Sequence, residues 1–597
     1  MQLVWNPNTE PALAGYKLYQ GTEPRKYTTS TDVGKTTTFK VTGLQRGIHY
    51  FAVTAYDFSR VESDYSNEVR VAIDPPGQPF PAPAVRTVGN AATIAWETVR
   101  PSAVRIDYGP TVAYGSSVSS GSVFTLKHTL GLTGLAPATT YHYRTVCRDD
   151  AGNVTITGDM VFTTPADATA PIAATFYYPR TVGPSENRMY TGVAFVNLDS
   201  GPALLTFRPW AGAGTLSPGI RILNAGEQIA VLDVEILGES TAVQESAGWV
   251  EVNSTTARMF GFFMSFDHAL SSLEGSTLLR SPVTGLLFPS LVAERMPQLM
   301  LANPRETPAG VTLEFLGTNG TVLRSVSLGI GAAAAVSVPS PVVFSHVRAT
   351  SDTPVVGFQV LERPGDWKAF LPAQSFGSGA TVLWGLQYVH GDFWHSHVTL
   401  VNTGPTADTV SLRWVADDGT QIGQARSLSI PANGGAVVAD PGEFGVGGDT
   451  IRQGYIEIRS AVARIAGSVT IHDEAAGRFA TALPLISQPA SLLVVPHVAS
   501  DGTYFTGLAV ANPSDADTRF TVELRGADGN LRSSVSETLA ARKRKARLVT
   551  ELFPELSSQS VLSGYLRIVA DRPVVAFAVF GTHDLSLFSA IPAQAVQ

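Results

Sequence analysis

Apolar and polar residues alternate over short runs through most of the chain. The clearest run lies in residues 402–419, where Val410, Leu412 and Trp414 alternate with polar residues and Gly419 ends a hairpin signal. Runs of about five to eight residues, with turn signals about every eight to twelve residues, are typical of β-strands in sandwiches. No stretch has convincing helical periodicity, so the pattern predicts an all-β protein.

The same strand–turn–strand phrase occurs four times, and we call it the Asn-to-Gly phrase. In each copy an asparagine is followed 17 residues later by a glycine: Asn197 and Gly214, Asn303 and Gly320, Asn402 and Gly419, Asn512 and Gly529. Self-similarity at a long period indicates repeated domains. It predicts four β-sandwich repeats, at 172–280, 281–380, 381–488 and 489–597.

A different repeat occupies the N-terminal part of the chain. Three landmarks recur at an offset of 91 residues: Trp5 and Trp96, Leu44 and Leu135, Tyr50 and Tyr141. They predict two related domains, at 1–75 and 76–168, followed by a short linker of small residues and proline.

A leucine six residues before a strand tyrosine, with a tryptophan two strands earlier, resembles the fibronectin type III family. In that family the tyrosine hydroxyl bonds back to the backbone at a corner of the sandwich. The second domain, ending in Val161-Phe162-Thr163-Thr164-Pro165, is similar to the variant found in front of purple acid phosphatases, whose metal-binding catalytic domain has no counterpart here. The four later repeats resemble uncharacterised sandwich repeats of secreted bacterial proteins.

The first domain departs from this family at its start. Only four residues precede Trp5, so the strand that normally comes before it has no sequence to form it. An incomplete sheet exposes backbone hydrogen-bonding groups and an apolar groove near Trp5. Either the start of the chain is truncated or processed, or a neighbouring subunit supplies the strand. The resulting fold class is all-β, with six tandem immunoglobulin-like or fibronectin-type β-sandwich domains in an elongated array.

Charge and cysteine content exclude several classes of protein. Charged residues make up 15% of the chain and the net charge is -8, without the basic stripe that a nucleic-acid partner requires. The single cysteine, Cys147, excludes an intrachain disulfide and is expected to be buried. No apolar window approaches the ~18 residues of a membrane span. No signal peptide opens the chain, yet an extracellular or cell-surface location is the expectation for such domains.

The densest polar cluster contains His390, Asp392, His395 and His397. His395 and His397 share one face of a strand, as two imidazole ligands of zinc or copper would. The equivalent positions in the other repeats are not ligands, so exposed edge histidines are the simpler interpretation. We expect no cofactor.

The other candidates concern binding or assembly. Trp384 is the one tryptophan of the third repeat that alignment does not assign to the core, and it could stack on a sugar ring. Arg542, Lys543 and Arg544 belong to the one basic cluster, which is expected on a solvated hairpin tip and could contact an acidic partner.

No metalloprotease, nucleophile-elbow or phosphate-loop motif occurs, so we expect a protein that is not an enzyme. The favoured hypothesis is an extracellular bacterial structural or cell-surface protein, such as a filament subunit, stalk or adhesin scaffold. Its expected partners are copies of itself, other cell-surface proteins or glycans. Head-to-tail strand complementation would join the copies. The alternative is a polysaccharide-binding or accessory arm of a secreted hydrolase.

Overall fold

A computed structural model describes most of the chain. The residues that it does not describe are 1, 43, 45–46, 74–82, 122–123, 151, 168, 181–188, 212–213, 216–217, 239–247, 268–269, 290–297, 340–343, 364–366, 463, 557–559 and 597. The chain divides into two compact units, Met1–Ala168 and Thr169–Gln597.

The first unit contains thirteen described strands. They are β1 (Gln2–Val4), β2 (Leu13–Gly21), β3 (Thr29–Gly34), β4 (Thr38–Lys40), β5 (Gly47–Asp57), β6 (Val69–Ile73), β7 (Ala84–Val88), β8 (Ala91–Gly109), β9 (Ser116–Ser119), β10 (Thr125–Leu132), β11 (Thr140–Asp149), β12 (Val154–Ile156) and β13 (Met160–Thr163).

The second domain of this unit has the strand order of a fibronectin type III sandwich. The first half of β8 pairs with β7 and β10, and its second half pairs with β9 and β11. The hydroxyl of Tyr141 accepts a hydrogen bond of 2.9 Å from the peptide N–H of Ala136, which is the predicted tyrosine corner. Trp96 and Cys147 are both buried in the core, and burial raises the pKa of the Cys147 thiol.

The first domain repeats this plan without an equivalent of β7. Its larger sheet has the order β3-β2-β5-β6, and its smaller sheet consists of β1 and β4 alone. Leu3 pairs with Phe39, and the matching pair 91 residues later is Ile94 with Leu130. The sequence offset therefore holds at the level of strand register.

The second unit contains the four repeats, each with two β-sheets. The strands of the first repeat are β14 (Ala174–Arg180), β15 (Met189–Asn197), β16 (Ala203–Ala211), β17 (Gly214–Thr215), β18 (Gly219–Leu223), β19 (Gln228–Leu232), β20 (Gly248–Ser254), β21 (Met259–Asp267) and β22 (Leu273–Thr277). Those of the second are β23 (Val283–Pro289), β24 (Gln298–Asn303), β25 (Ala309–Leu316), β26 (Val322–Ile330), β27 (Ala334–Pro339), β28 (His346–Arg363), β29 (Trp367–Pro372) and β30 (Gln374–Ser375).

The last two repeats follow the same sequence of elements. The third has β31 (Val382–His390), β32 (Trp394–Asn402), β33 (Asp408–Ala416), β34 (Arg426–Ile430), β35 (Gly435–Val438), β36 (Arg452–Ser460), β37 (Ile465–Asp473) and β38 (Ala480–Pro484). The fourth has β39 (Ala490–Val495), β40 (Tyr504–Ala511), β41 (Thr518–Arg525), β42 (Leu531–Leu539), β43 (Arg544–Leu548), β44 (Tyr565–Thr582), β45 (Phe588–Pro592) and β46 (Gln594–Ala595). The described helices are single turns: α1 (Val234–Leu237), α2 (Val549–Leu552) and the 3-10 turns Pro441–Phe444 and Pro554–Leu556.

All four repeats share one topology. In the third repeat one sheet has the order β31-β36-β33-β34 and the other β35-β32-β37-β38. The second and fourth repeats keep these neighbours, but a single long strand, β28 or β44, runs through both sheets. The predicted all-β class of tandem sandwich domains is confirmed.

The repeated asparagine is a buried structural residue. Asn402 Nδ2 donates to the carbonyl oxygens of Thr406, Ile430 and Pro431, at 2.8, 3.2 and 3.1 Å, and its Oδ1 accepts from the Gly404 peptide N–H. The equivalent bonds occur at Asn197, Asn303 and Asn512, all fully buried. A buried amide must satisfy its polar atoms, and here it ties the end of one strand to two turns.

The predicted elongated array is wrong for residues 169–597, because the four repeats close on one another in a ring. Each repeat shares clusters of buried apolar side chains with its two neighbours in the ring, so that the first repeat contacts both the second and the fourth. The contacts include Trp249 with Phe358, Leu371 with Ala482, Tyr455 with Phe577, and Phe262 with Phe580. Thinly charged sandwich faces bury more apolar area when they pack in a ring than in a row.

The last strands of the repeats, β22, β29, β38 and β45, meet one another at the centre of this ring. The Ser589 hydroxyl accepts a hydrogen bond of 2.9 Å from the Gly275 peptide N–H, and Thr481 accepts one of 2.9 Å from Ala590. The position equivalent to Ser589 and Thr481 in the first repeat is Glu274. The ring therefore closes through the same strand position in successive repeats.

The Asn-to-Gly phrase also serves the ring. Gly320, at the hairpin tip of the second repeat, lies against Ala432 of the third, and Gly529 of the fourth lies against Gly226 of the first. Gln374 and Gln594, which end the recurring Pro-Ala-Gln motif, each donate 2.8 Å bonds to a glycine carbonyl of the next repeat, Gly467 and Gly261.

Candidate functional site

The histidine cluster does not assemble a metal centre. His390 Nε2 lies 2.9 Å from the Ser396 carbonyl oxygen, and burial lowers the pKa of His390 to about 4. Asp392 is exposed in a turn. Across the residues that the structure describes, no group of three His, Cys, Asp or Glu side chains is arranged to hold a metal ion.

His472 also lies in this cluster, and the sequence did not indicate that it is close to His395 and His397. β32 and β37 pair so that His395 lies opposite His472, and the ring centroid of His397 lies 4.6 Å from that of His472. His472 is fully buried, with its Nε2 2.6 Å from a carboxylate oxygen of Glu474. Only the strand register shows this proximity, because the residues are about 75 positions apart in the chain.

The basic cluster lies at the contact between the third and fourth repeats rather than on a solvated tip. Arg544 is buried, with its Nε 2.7 Å from Asp417 and its Nη1 2.9 and 3.0 Å from the carbonyl oxygens of Leu386 and Gly454. Burial lowers the pKa of Arg544, and Asp417 opposes this shift.

The neighbouring basic residues complete this contact. Arg542 bridges Glu457 of the third repeat and Asp515 of its own repeat, at 2.6 and 2.7 Å. Lys543 is exposed, and its Cγ lies 3.3 Å from where a Cβ on Gly419 would be. Arg544 is thus an internal clamp between repeats.

Trp384 occupies the same interface. Its side chain is only 8% exposed and packs with Tyr455 of its own repeat and Ala509 and Phe577 of the fourth. A ring in this position has no free face for a sugar, so the expectation of an exposed platform is wrong. Trp414, which alignment assigned to the core, is fully buried.

The region around Trp5 is an open groove between the two sheets of the first domain. Its volume is about 450 Å³, and its lining includes Val4, Trp5, Phe51 and Val69. Trp5 packs edge-on against Tyr16 with ring centroids 5.8 Å apart, whereas Val4 is 70% exposed.

The groove borders a free strand edge. β1 pairs with β4 on one side, and no other described strand pairs with it. The Trp5 peptide N–H donates to Thr37 at 3.0 Å, toward the β4 side. Since successive peptides of a strand point in opposite directions, the N–H and C=O of Val4 point to the free edge.

The second domain shows what covers such an edge. There β7 pairs antiparallel with β8, so that Val85 lies opposite Ile94 and Ala84 opposite Ala95. By the 91-residue offset, Ile94 and Ala95 correspond to Leu3 and Val4. The free edge of β1 therefore corresponds to the edge that β7 covers in the second domain.

Comparisons with known proteins identify no family for the chain. No family model matches, and no curated protein matches. Among solved structures, the chain is similar to chicken CNTN1 FN1-FN3 domains, with 11% sequence identity and a TM-score of 0.18. The match covers 47% of this chain and 92% of that one.

Two other structures match at similar levels. The central fibronectin-III array of RIM-binding protein is 15% identical, with a TM-score of 0.15, and the match covers 47% of this chain and 92% of that one. The chicken interferon gamma receptor alpha chain is 12% identical, with a TM-score of 0.13, and the match covers 28% of this chain and 91% of that one. At such TM-scores these similarities carry no argument, and the assignment of the fold rests on the strand order described above.

One further observation concerns membranes. None of the helices in the described part of the chain is long and apolar enough to cross a bilayer.

Proposed function

We propose that this chain is a non-enzymatic structural or cell-surface protein of bacterial origin, located outside the cell, that associates by β-strand addition at the open edge of β1. One observation carries the proposal: β1 presents unpaired backbone beside a groove lined by both apolar and polar residues, at the position that β7 fills in the next domain. Main-chain hydrogen bonds supply affinity in this mode of recognition, and alternate side chains in the groove supply specificity.

The residues of the groove define the strand that would fit. In the second domain Val85 is half-buried and Arg86 is exposed, so the incoming strand alternates apolar and polar side chains. Repeated addition of such a strand between copies is a heterologous contact, which builds open filaments when it does not close. The closed ring of four repeats then forms a compact body carried by each subunit.

The test uses the full chain and a substitution that removes only the edge donor. Val4→Pro deletes the N–H that points to the free edge but leaves the Trp5–Thr37 bond in place, whereas Val4→Ala keeps the donor. We expect self-association, measured by size-exclusion chromatography and negative-stain electron microscopy, to be lost in Val4→Pro and retained in Val4→Ala. A chain that stays monomeric at all concentrations, or a Val4→Pro variant that associates as the parent does, would contradict the proposal.

The finer resemblances remain predictions, namely the purple acid phosphatase type of domain and the secreted bacterial repeats. The alternative function, a polysaccharide-binding or accessory arm of a secreted hydrolase, loses its aromatic platform because Trp384 is buried.

A further inference from the structure

An arginine-lined cleft lies on the second unit, where residues of the first, second and fourth repeats meet. Its volume is about 850 Å³. Three of them are arginines, Arg258, Arg280 and Arg305, and all three are exposed. Among the described lining residues there is no aspartate or glutamate.

Arg280 is held in a fixed position in this cleft. Its guanidinium carbon lies 4.9 Å from the ring centroid of Phe176 and 4.8 Å from that of Phe260. Its Nη2 donates to the Met259 carbonyl oxygen at 2.5 Å. Two aromatic faces and one carbonyl orient the group, and they leave its remaining donors without a carboxylate among the described residues.

The backbones of the other two arginines are fixed by turns of the repeat. The Arg305 peptide N–H donates to Asn303 Oδ1 at 3.0 Å, so the buried asparagine network positions this residue. The Arg258 carbonyl oxygen accepts from the Leu198 peptide N–H at 2.9 Å. Arg258 interacts electrostatically with Asp199, which is bonded to the Thr256 hydroxyl and the Ser200 peptide N–H.

Some arginines elsewhere in the unit meet acidic residues, as in Arg180 with Asp233 at 2.6 Å and Arg348 with Glu314 at 2.5 Å. No such carboxylate lies among the described residues that line the cleft. The planar guanidinium group donates paired hydrogen bonds to two oxygens of a carboxylate or phosphate group. We infer that the cleft binds a multivalent oxyanion through Arg258, Arg280 and Arg305.

Such oxyanions occur as free small anions and along acidic saccharides, and two probes separate these sources. Citrate presents three carboxylates on one small molecule, and trigalacturonate presents three along a saccharide. Isothermal titration calorimetry of the full chain should show binding of at least one probe at low salt. Raising sodium chloride to 0.5 M should weaken it severalfold, because screening acts strongly on exposed charges.

The variants are Arg280→Gln and Arg305→Gln, with Arg324→Gln as the matched control. Arg324 is an exposed strand arginine of the second repeat that lies outside the cleft. We expect each cleft variant to lose affinity at least tenfold, while the control binds as the parent does. Arg305→Gln keeps the test informative if Arg280→Gln disturbs packing against Phe176. Absence of binding by both probes, or equal losses in cleft and control variants, would overturn the inference.

Discussion

Glu274 carries an ionisable carboxyl group in a buried environment. It is fully buried at the centre of the ring, and neither carboxylate oxygen has a hydrogen bond of normal geometry to the described residues. Burial raises its pKa well above the ordinary value, and the peptide groups of Phe370 and Gly275 lower it only in part. Burial therefore favours the neutral form of this carboxyl group in the folded protein.

The sign of its effect on stability follows from this shift. The unfolded chain loses the Glu274 proton above about pH 4.5, whereas the folded chain keeps it, so rising pH favours unfolding. Glu274→Gln removes this titration. We expect the variant and the parent to differ little below pH 4.5, and the variant to gain about 1.4 kcal/mol per pH unit above it, up to the folded pKa.

Thermal unfolding of both proteins between pH 4 and pH 8 measures this difference. Glu306→Gln, an exposed glutamate in the second repeat, is the control and should follow the parent at every pH. Parallel curves for Glu274→Gln and the parent would show that the buried carboxyl does not titrate as described.

At the scale of elements, the hairpin tips of the Asn-to-Gly phrase decide how closely neighbouring repeats approach. Gly320 has a φ of +80° and Gly419 a φ of +84°, in the left-handed region that favours glycine. A Cβ on Gly320 would lie 2.2 Å from the Ala432 carbonyl oxygen of the next repeat. A Cβ on Gly419 would meet the flexible side chain of Lys543 at 3.3 Å and the Arg542 carbonyl group at 3.5 Å, an ordinary contact distance.

This difference predicts unequal costs for the same substitution. Gly419→Ala should cost the left-handed strain alone, about 1 to 2 kcal/mol. Gly320→Ala should cost about 1 to 3 kcal/mol more, because a backbone carbonyl of another repeat has to move. Urea unfolding midpoints of the two variants measure this. Equal shifts would mean that the contact between hairpin tip and turn does not hold the repeats together.

The sequence predicted the elements better than the way they pack. Alternation and the 17-residue spacing gave the strands around Asn402, and alignment placed Trp414 in the core. The resemblance to the fibronectin type III family predicted the tyrosine corner at Tyr141. These features depend on local patterning and on contacts within one sandwich, which a repeated sequence records.

The positions of the candidate site residues were harder to predict from the sequence. Trp384 and Arg544 are of residue types that are typical of exposed binding surfaces. Both lie instead where the third repeat packs on the fourth. The cleft arginines come from two repeats and share no motif. Which sandwich faces meet depends on the shape and burial of whole domains, so single-residue patterns do not record it.

Over the second unit as a whole, residues 169–597 form a closed ring of four sandwiches. The first repeat contacts the fourth through Phe262 with Phe580, through Gln594 with Gly261, and through the Gly275–Ser589 bond. An open row of the same four domains would lack all three contacts.

Small-angle X-ray scattering of a polypeptide spanning residues 169–597 distinguishes the closed ring from an open row. A compact unit of this length should have a radius of gyration of about 22 Å, whereas four such domains in a row should give about 40 Å. The ring predicts a value near the first figure that does not change with protein concentration. A value near the second figure would contradict the ring.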